Sequence, residues 1–282
     1  MPWPFDRTFM QLALYAGLVV GASAPLIGAF LVQKRLSLMG DGIGHIAFAG
    51  VAGGLLLEVW PVWSALVVAV AGALGIEWLR RAGVASGDLV LAVFFYGGIA
   101  LGAVLAGLAG AFDASIVPIL FGAILTVTES EVWLLVGLGL AILATVLIAG
   151  RALFAIVLDE EAAKVAGLPV GALNVLLSVL VAVTVVLAMR VVGILLVAAL
   201  MVLPVGASQA VARSFRGAMI GASFVGVVSV IAGLAASRAW GLVPGGSIVL
   251  VAAALFALAA LAMRAPGRRM PPQPSVRTPT EH

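Results

Sequence analysis

The sequence predicts an all-α protein, a polytopic transmembrane helix bundle of about nine spans with almost no chain left for a water-soluble domain. Three observations predict it. The 282 residues are 64% hydrophobic and only 10% charged, with a mean hydropathy of +1.27, which excludes a soluble globular protein. Apolar runs recur at the length a bilayer demands, since a hydrocarbon core of about 30 Å needs about 20 residues at a rise of about 1.5 Å each. The runs are also too long and too uniformly apolar for barrel strands, and a helix satisfies its own backbone hydrogen bonds in lipid.

Charge, proline and glycine break the chain into runs at 8–32, 42–57, 60–76, 89–110, 132–148, 170–189, 191–212, 217–236 and 248–263. The count falls to eight if two short runs form one bent helix. The first run is too long for a signal-peptide core and lacks a basic flank, so it reads as a retained span. Small-residue pairs such as Gly17 with Gly21 and Gly98 with Gly102 predict close helix contacts. The segment 116–125, between Asp113 and Glu129, is too short to cross and reads as re-entrant or interfacial. Residues 1–265 form the transmembrane domain. The tail 266–282 carries five prolines including Pro266, and its composition predicts disorder on the cytoplasmic side.

When nine spans alternate, every Lys and Arg except Arg7, Arg190 and Arg238 falls on the side of the carboxyl end. The positive-inside rule then places the amino end outside and the carboxyl end in the cytoplasm. The net charge of +3 comes from these helix-end cations and does not indicate nucleic acid.

With no cysteine in the chain, metal chemistry must use His, Asp or Glu. Asp41 and His45 stand at i, i+4 near the start of an apolar span, on one helix face, close enough to share a divalent cation. Ionisable groups are costly in lipid, about 2.5 kcal/mol or more each, so the pair should face the bundle interior or a water-filled cavity. The plainer alternative has Asp41 capping a helix and His45 hydrogen-bonded to a carbonyl. Gly40, Gly42 and Gly44 lower helix propensity around the pair and suggest an irregular or broken helix.

The polar interruption 158–169 predicts a short helix between two spans. Asp159 can cap it, Glu160 and Glu161 suit its first turn, and Gly167 with Pro169 should stop it. It is a solvated connection or a docking element. Farther on, Arg190 marks the outer end of one span, and Pro204 should kink the next. Glu58, Asp113, Glu129 and Glu131 gather on the outer side, solvated or facing a docking protein. Neither lysine lies in a G-x-x-x-x-G-K-[ST] loop, and there is no H-E-x-x-H or G-x-S-x-G, so the chain is not expected to be an enzyme.

Three stretches together resemble the zinc/manganese permease family of ATP-binding-cassette importers: LSLMGDGIGHIAFAGVAGG at 36–54, LDEEAAKVAGLPV at 158–170 and MRVVGILLVAALMVLPVGAS at 189–208. The resemblance covers nearly everything but the tail. It implies that Asp41 and His45 lie on the metal path and that Asp159, Glu160, Glu161, Ala163 and Gly167 belong to a helix coupled to a separate ATPase. It further implies that Gly193 and Pro204 shape the pathway. The implied partners are an ATP-binding-cassette ATPase, an extracytoplasmic metal-binding protein, membrane lipid and a second permease copy in a homodimer. The implied location is the cytoplasmic membrane of a prokaryote. Divalent metal is cargo, with no permanently bound cofactor; the Met39 to Gly44 stretch leans toward zinc over manganese or iron. A siderophore or cobalamin-type permease and a secondary metal transporter are the competing readings.

Overall fold

The computed structural model describes residues 3–110 and 117–264; Asp113, Ile116 and the tail 266–282 lie outside the described residues. Its long helices are α1 (Thr8–Gln33), α2 (Met39–Leu56), α3 (Pro61–Ala82), α4 (Gly87–Leu108) and α6 (Glu129–Leu158) in the first half. Between α4 and α6 lies the five-residue α5 (Val117–Phe121). The short α7 (Glu160–Val165) leads to α8 (Val170–Val192), α9 (Val197–Gln209), α10 (Phe215–Trp240) and α11 (Pro244–Arg264). Eight of these helices are long and apolar enough to cross a membrane.

The eight-against-nine question resolves at Gly193. Its φ of 89° and ψ of 157° suit glycine alone, and they end α8 where a continuous helix would otherwise run on. A 3-10 turn, Ile194–Leu196, and the 13-residue α9 follow. The predicted run 191–212 is therefore a broken, shorter helix. It still carries the chain through the bundle, because the two ends of α6 act as a ruler. Arg190, near the end of α8, pairs with Glu131 in the first turn of α6. Phe215, at the start of α10, stacks at 4.4 Å on Phe154 near the last turn of α6. The chain thus passes from one face to the other between them. We call these the far face and the α7 face.

Helices α1, α2 and α8 form the centre, with 67%, 78% and 72% of their apolar windows buried, whereas α4 and α6 have 28% and α11 has 17%. A helix apolar all round can sit either inside the bundle or against lipid. Small residues decide which. A Cβ added at Gly21 of α1 would come within 2.9 Å of the Gly226 carbonyl of α10, so the two backbones are nearly in contact, as lipid-phase packing favours. Ser223 adds a hydrogen bond across the same pair, donating to the Ala22 carbonyl at 2.9 Å. Proline inside α1, at Pro25, and inside α9, at Pro204, removes one backbone donor from each helix.

The segment after α5 folds inward. Ile124, in a 3-10 turn, is 1% exposed and reaches the level of Gly17 on α1, about 14 Å along that helix from its start. The re-entrant reading of the described part of 116–125 agrees with this placement. The glycines around Asp41 act otherwise than expected. Helix α2 is continuous through Gly40, Gly42 and Gly44, because these positions give room to neighbours: Gly40 faces Met201 of α9, and Gly44 faces Ile194 of the 3-10 turn. The break that the glycines suggested lies in the partner strand of chain, at Gly193.

Candidate metal pathway and coupling junction

Helix α2 carries Asp41 in its first turn and His45 one turn later. The imidazole Nε2 lies 3.9 Å from the Asp41 Oδ1, with the side chains 11% and 29% exposed respectively. The two groups therefore converge on one side of the helix yet stand beyond hydrogen-bond distance. The cap of α2 is Leu38, without a side-chain bond, so Asp41 does not cap the helix. No hydrogen bond from His45 to a carbonyl is present among the described residues, and its ring instead meets the Phe95 ring edge-on at 4.5 Å.

Depth follows from α4. A Cβ on Gly98 would approach the His45 carbonyl carbon to 2.8 Å, and Gly98 stands halfway along Gly87–Leu108. His45 consequently sits near the middle of the bundle's thickness, with Asp41 about 6 Å closer to the α7 face. The Gly193 break sets Ile194 against the same stretch of α2, where its carbonyl would lie 3.5 Å from a Cβ at Gly44. An imidazole and an unwound backbone turn thus share one level, with the carboxylate one helical turn closer to the α7 face. No set of three or more His, Asp or Glu able to hold a metal occurs among the described residues.

The second cluster lies at the α7 face. Asp159 caps α7 by accepting from the Ala162 N–H at 3.0 Å, Ala163 is buried, and Gly167 has the left-handed φ of 81° that ends the helix. Glu160, itself half exposed, bonds to the neighbouring helices. Its Oε1 lies 2.6 Å from the Lys34 ammonium and accepts from the Asn174 amide at 3.1 Å. Lys34 also donates to the Asn174 Oδ1 at 2.6 Å. Burial alone would raise the Glu160 pKa, but the bond and charge of Lys34, the Asn174 bond and the Arg80 charge outweigh it and hold the carboxyl below the ordinary value. Glu161, Lys164 and Val165 remain on the exposed surface of α7, Val165 at 89%.

Nearby, buried Glu77 of α3 pairs with Arg81 at 2.8 Å and Arg80 at 3.4 Å. Arg81 donates onward to the Gly171 carbonyl at the start of α8. Helix α7 is thereby tied to the end of α1 and to α8, and α3 is tied to the start of α8. On the far face, Glu131 is buried and engaged by Arg190. It also completes a capping box with Thr128, so Glu131 is neither solvated nor open to a docking protein. The pair borders a cavity of about 240 Å³ lined by Trp60, Pro118 and Thr126 among others.

Sequence reading placed Asp41, His45 and Asp159 to Gly167 but missed Phe95, Lys34, Asn174 and Glu77. Scarcity was the available signal: Lys34 is one of two lysines, and Asn174 is the only asparagine in the chain.

The chain is similar along nearly its whole length to known membrane proteins. The sequence pattern of the ABC 3 transport family matches residues 6–263. The manganese transport system membrane protein MntC of Halalkalibacterium halodurans is 32% identical, over 89% of this chain and 86% of its own. The high-affinity zinc uptake system membrane protein ZnuB of Haemophilus influenzae is 28% identical, over 87% of this chain and 94% of its own. Among solved structures, PsaBC from Streptococcus pneumoniae in complex with Fab contains a chain that superposes with a TM-score of 0.82 at 31% identity, covering 90% of this chain and 91% of that one.

Proposed function

The chain belongs to the ABC 3 transport family, and from that premise we propose that Asp41 and His45 form the transit site for the divalent metal ion its transporter imports. The protein is the membrane permease of an ATP-binding-cassette metal importer and not itself the ATPase. One observation carries the transit-site reading: a carboxylate and an imidazole, 3.9 Å apart at mid-depth, have no protein hydrogen-bond partner among the described residues. Ionisable groups at such a depth mark ion pathways when they are left for cargo to engage. Two donors hold an ion weakly enough to let it pass. A second copy of the chain, presenting the same pair across a shared axis, brings the donors to the four that zinc ordinarily takes.

Both candidate metals retain a specific support. The zinc reading rests on the Met39 to Gly44 stretch; the manganese reading rests on the relative named for manganese transport at 32% identity. Carboxylate and imidazole serve either ion, so the donors do not choose. The amino end is outside and the carboxyl end cytoplasmic, because that orientation gathers nearly all Lys and Arg on the inner side. On this orientation α7 meets the ATPase through Glu161, Lys164 and Val165, while Glu160 serves the inner junction. The metal-binding protein docks on the far face.

The test is uptake of radiolabelled zinc and manganese by vesicles holding the permease with its ATPase and binding protein. ATP-dependent accumulation of one ion, competed only weakly by the other, identifies the cargo. Accumulation driven by an ion gradient without ATP, or of metal chelates in preference to free metal, would overturn the reading.

A further inference from the structure

We propose that the cleft between α6 and α10 is a binding site for one anionic phospholipid, its phosphate held by Arg151 and Arg216. The site is independent of the metal pathway and of which way the chain is inserted. Helix α1 packs against both α6 and α10, while α6 turns its other side to α8 and α10 to α9 and α11, and α6 and α10 splay apart from each other. They leave a cleft of about 1000 Å³ floored by Leu26 and Phe30 and walled by Leu143 and Leu147. At the α7 face the cleft is closed by aromatic rings, Phe154 stacked on Phe215 at 4.4 Å and Phe215 edge-on to Phe30 at 5.3 Å. A straight apolar trough of this size suits acyl chains.

The polar end is what selects the occupant. Arg151 on one wall and Arg216 on the other line the same cleft, and both are exposed. Among the described residues neither has a carboxylate within ion-pair distance, whereas Lys34, Arg80, Arg81, Arg190 and Arg238 all do. Their level is interfacial. On α6, Arg151 lies about 27 Å from exposed Trp133; on α10, Arg216 lies about 36 Å from exposed Trp240, each span matching a bilayer core or slightly more. Two guanidinium groups at one headgroup level, with apolar walls running away from them, complement a molecule with an anionic head and long tails. A helix from a second copy would have no reason to put acid at that end alone.

The full chain, purified in detergent, is incubated with phosphatidylglycerol and phosphatidylcholine of identical acyl chains, and retained lipid is counted by native mass spectrometry. Phosphatidylglycerol should be preferred, and Arg151→Gln and Arg216→Gln should each lower that preference about fivefold. Leu147→Trp, which fills the trough, should lower retention of both lipids alike. Variants with unchanged melting midpoints but an unchanged preference would overturn the proposal. So would displacement of the lipid by millimolar glycerol phosphate, which would make the site one for a soluble phosphate. Because the chain has no native cysteine, Leu147→Cys gives a clean cross-linking probe: an efficient disulfide between two copies in the bilayer would identify the cleft as a subunit interface instead.

Discussion

Lys34 and His45 are close in sequence, yet their surroundings follow opposite rules. At the α7 face, Lys34, Glu160 and Asn174 saturate one another with bonds of 2.6 to 3.1 Å. At mid-depth, the Asp41 and His45 side chains approach to 3.9 Å and hydrogen-bond to nothing among the described residues. A saturated polar junction fixes elements relative to one another, and a partly satisfied one is poised to take a ligand. The contrast sets a fixed junction beside an open pair on the next helix: the loop from Lys34 to Leu38 connects the junction to α2, and α2 itself packs along α3 and α4. Glu160 and Asp41 are thus linked through Lys34 and the six residues between Lys34 and Asp41.

Removing a donor should have the largest effect. Asp41→Ala or His45→Ala should cut metal uptake by more than about tenfold, since even supporting groups around metal ligands are worth 10- to 100-fold. ATPase assembly should be retained, and normal transport by both variants would end the contrast. Next, Lys34→Met should lower uptake about fivefold or more while ATP hydrolysis continues, the scale of an ordinary coupling energy. The exchange Lys34→Glu with Glu160→Lys should recover part of the loss. If the exchange behaves no better than the single change, the junction does not transmit through that pair.

Gly193→Val should lower the melting midpoint in detergent by the equivalent of about 1–3 kcal/mol, because its φ of 89° is open to glycine alone. A Cβ there also meets the backbone of Phe121 and Gly122. The smallest effect concerns acid. Glu160 has a lowered folded pKa, so its contribution is present above its unfolded pKa of about 4.3 and is lost as pH falls through the folded value. The stability difference between the native chain and Glu160→Gln should stay constant from neutral pH to about 5 and shrink below that. A difference that vanished at neutral pH would detach Glu160 from Lys34.

Much of the candidate site was legible because its signals are local. The i, i+4 spacing put Asp41 and His45 on one face, and the run from Asp159 to Gly167 held its own cap and stop. The role of Glu160 was not legible as docking alone: its partner Asn174 lies 140 residues from Lys34, which completes the junction. Nor could composition tell that Glu131 is buried under Arg190, 59 residues away. A carboxylate at a helix start reads as solvated until a cation from another helix is placed over it.

Sequence by itself determined the all-helical class and the rough limits of the apolar helices, because bilayer thickness sets their length and lipid leaves helix as the backbone's solution; whether the run 191–212 made a full-length span was left to the structure. It also determined the caps, whose bonds close within a turn. Only the tertiary structure decided that the glycines near Asp41 make room in an unbroken helix while the break falls at Gly193. The same holds for which charges neutralise each other and which stand open at mid-depth. Those outcomes depend on contacts between helices distant in the chain, and a uniformly apolar surface gives no advance mark of which neighbour will cover it.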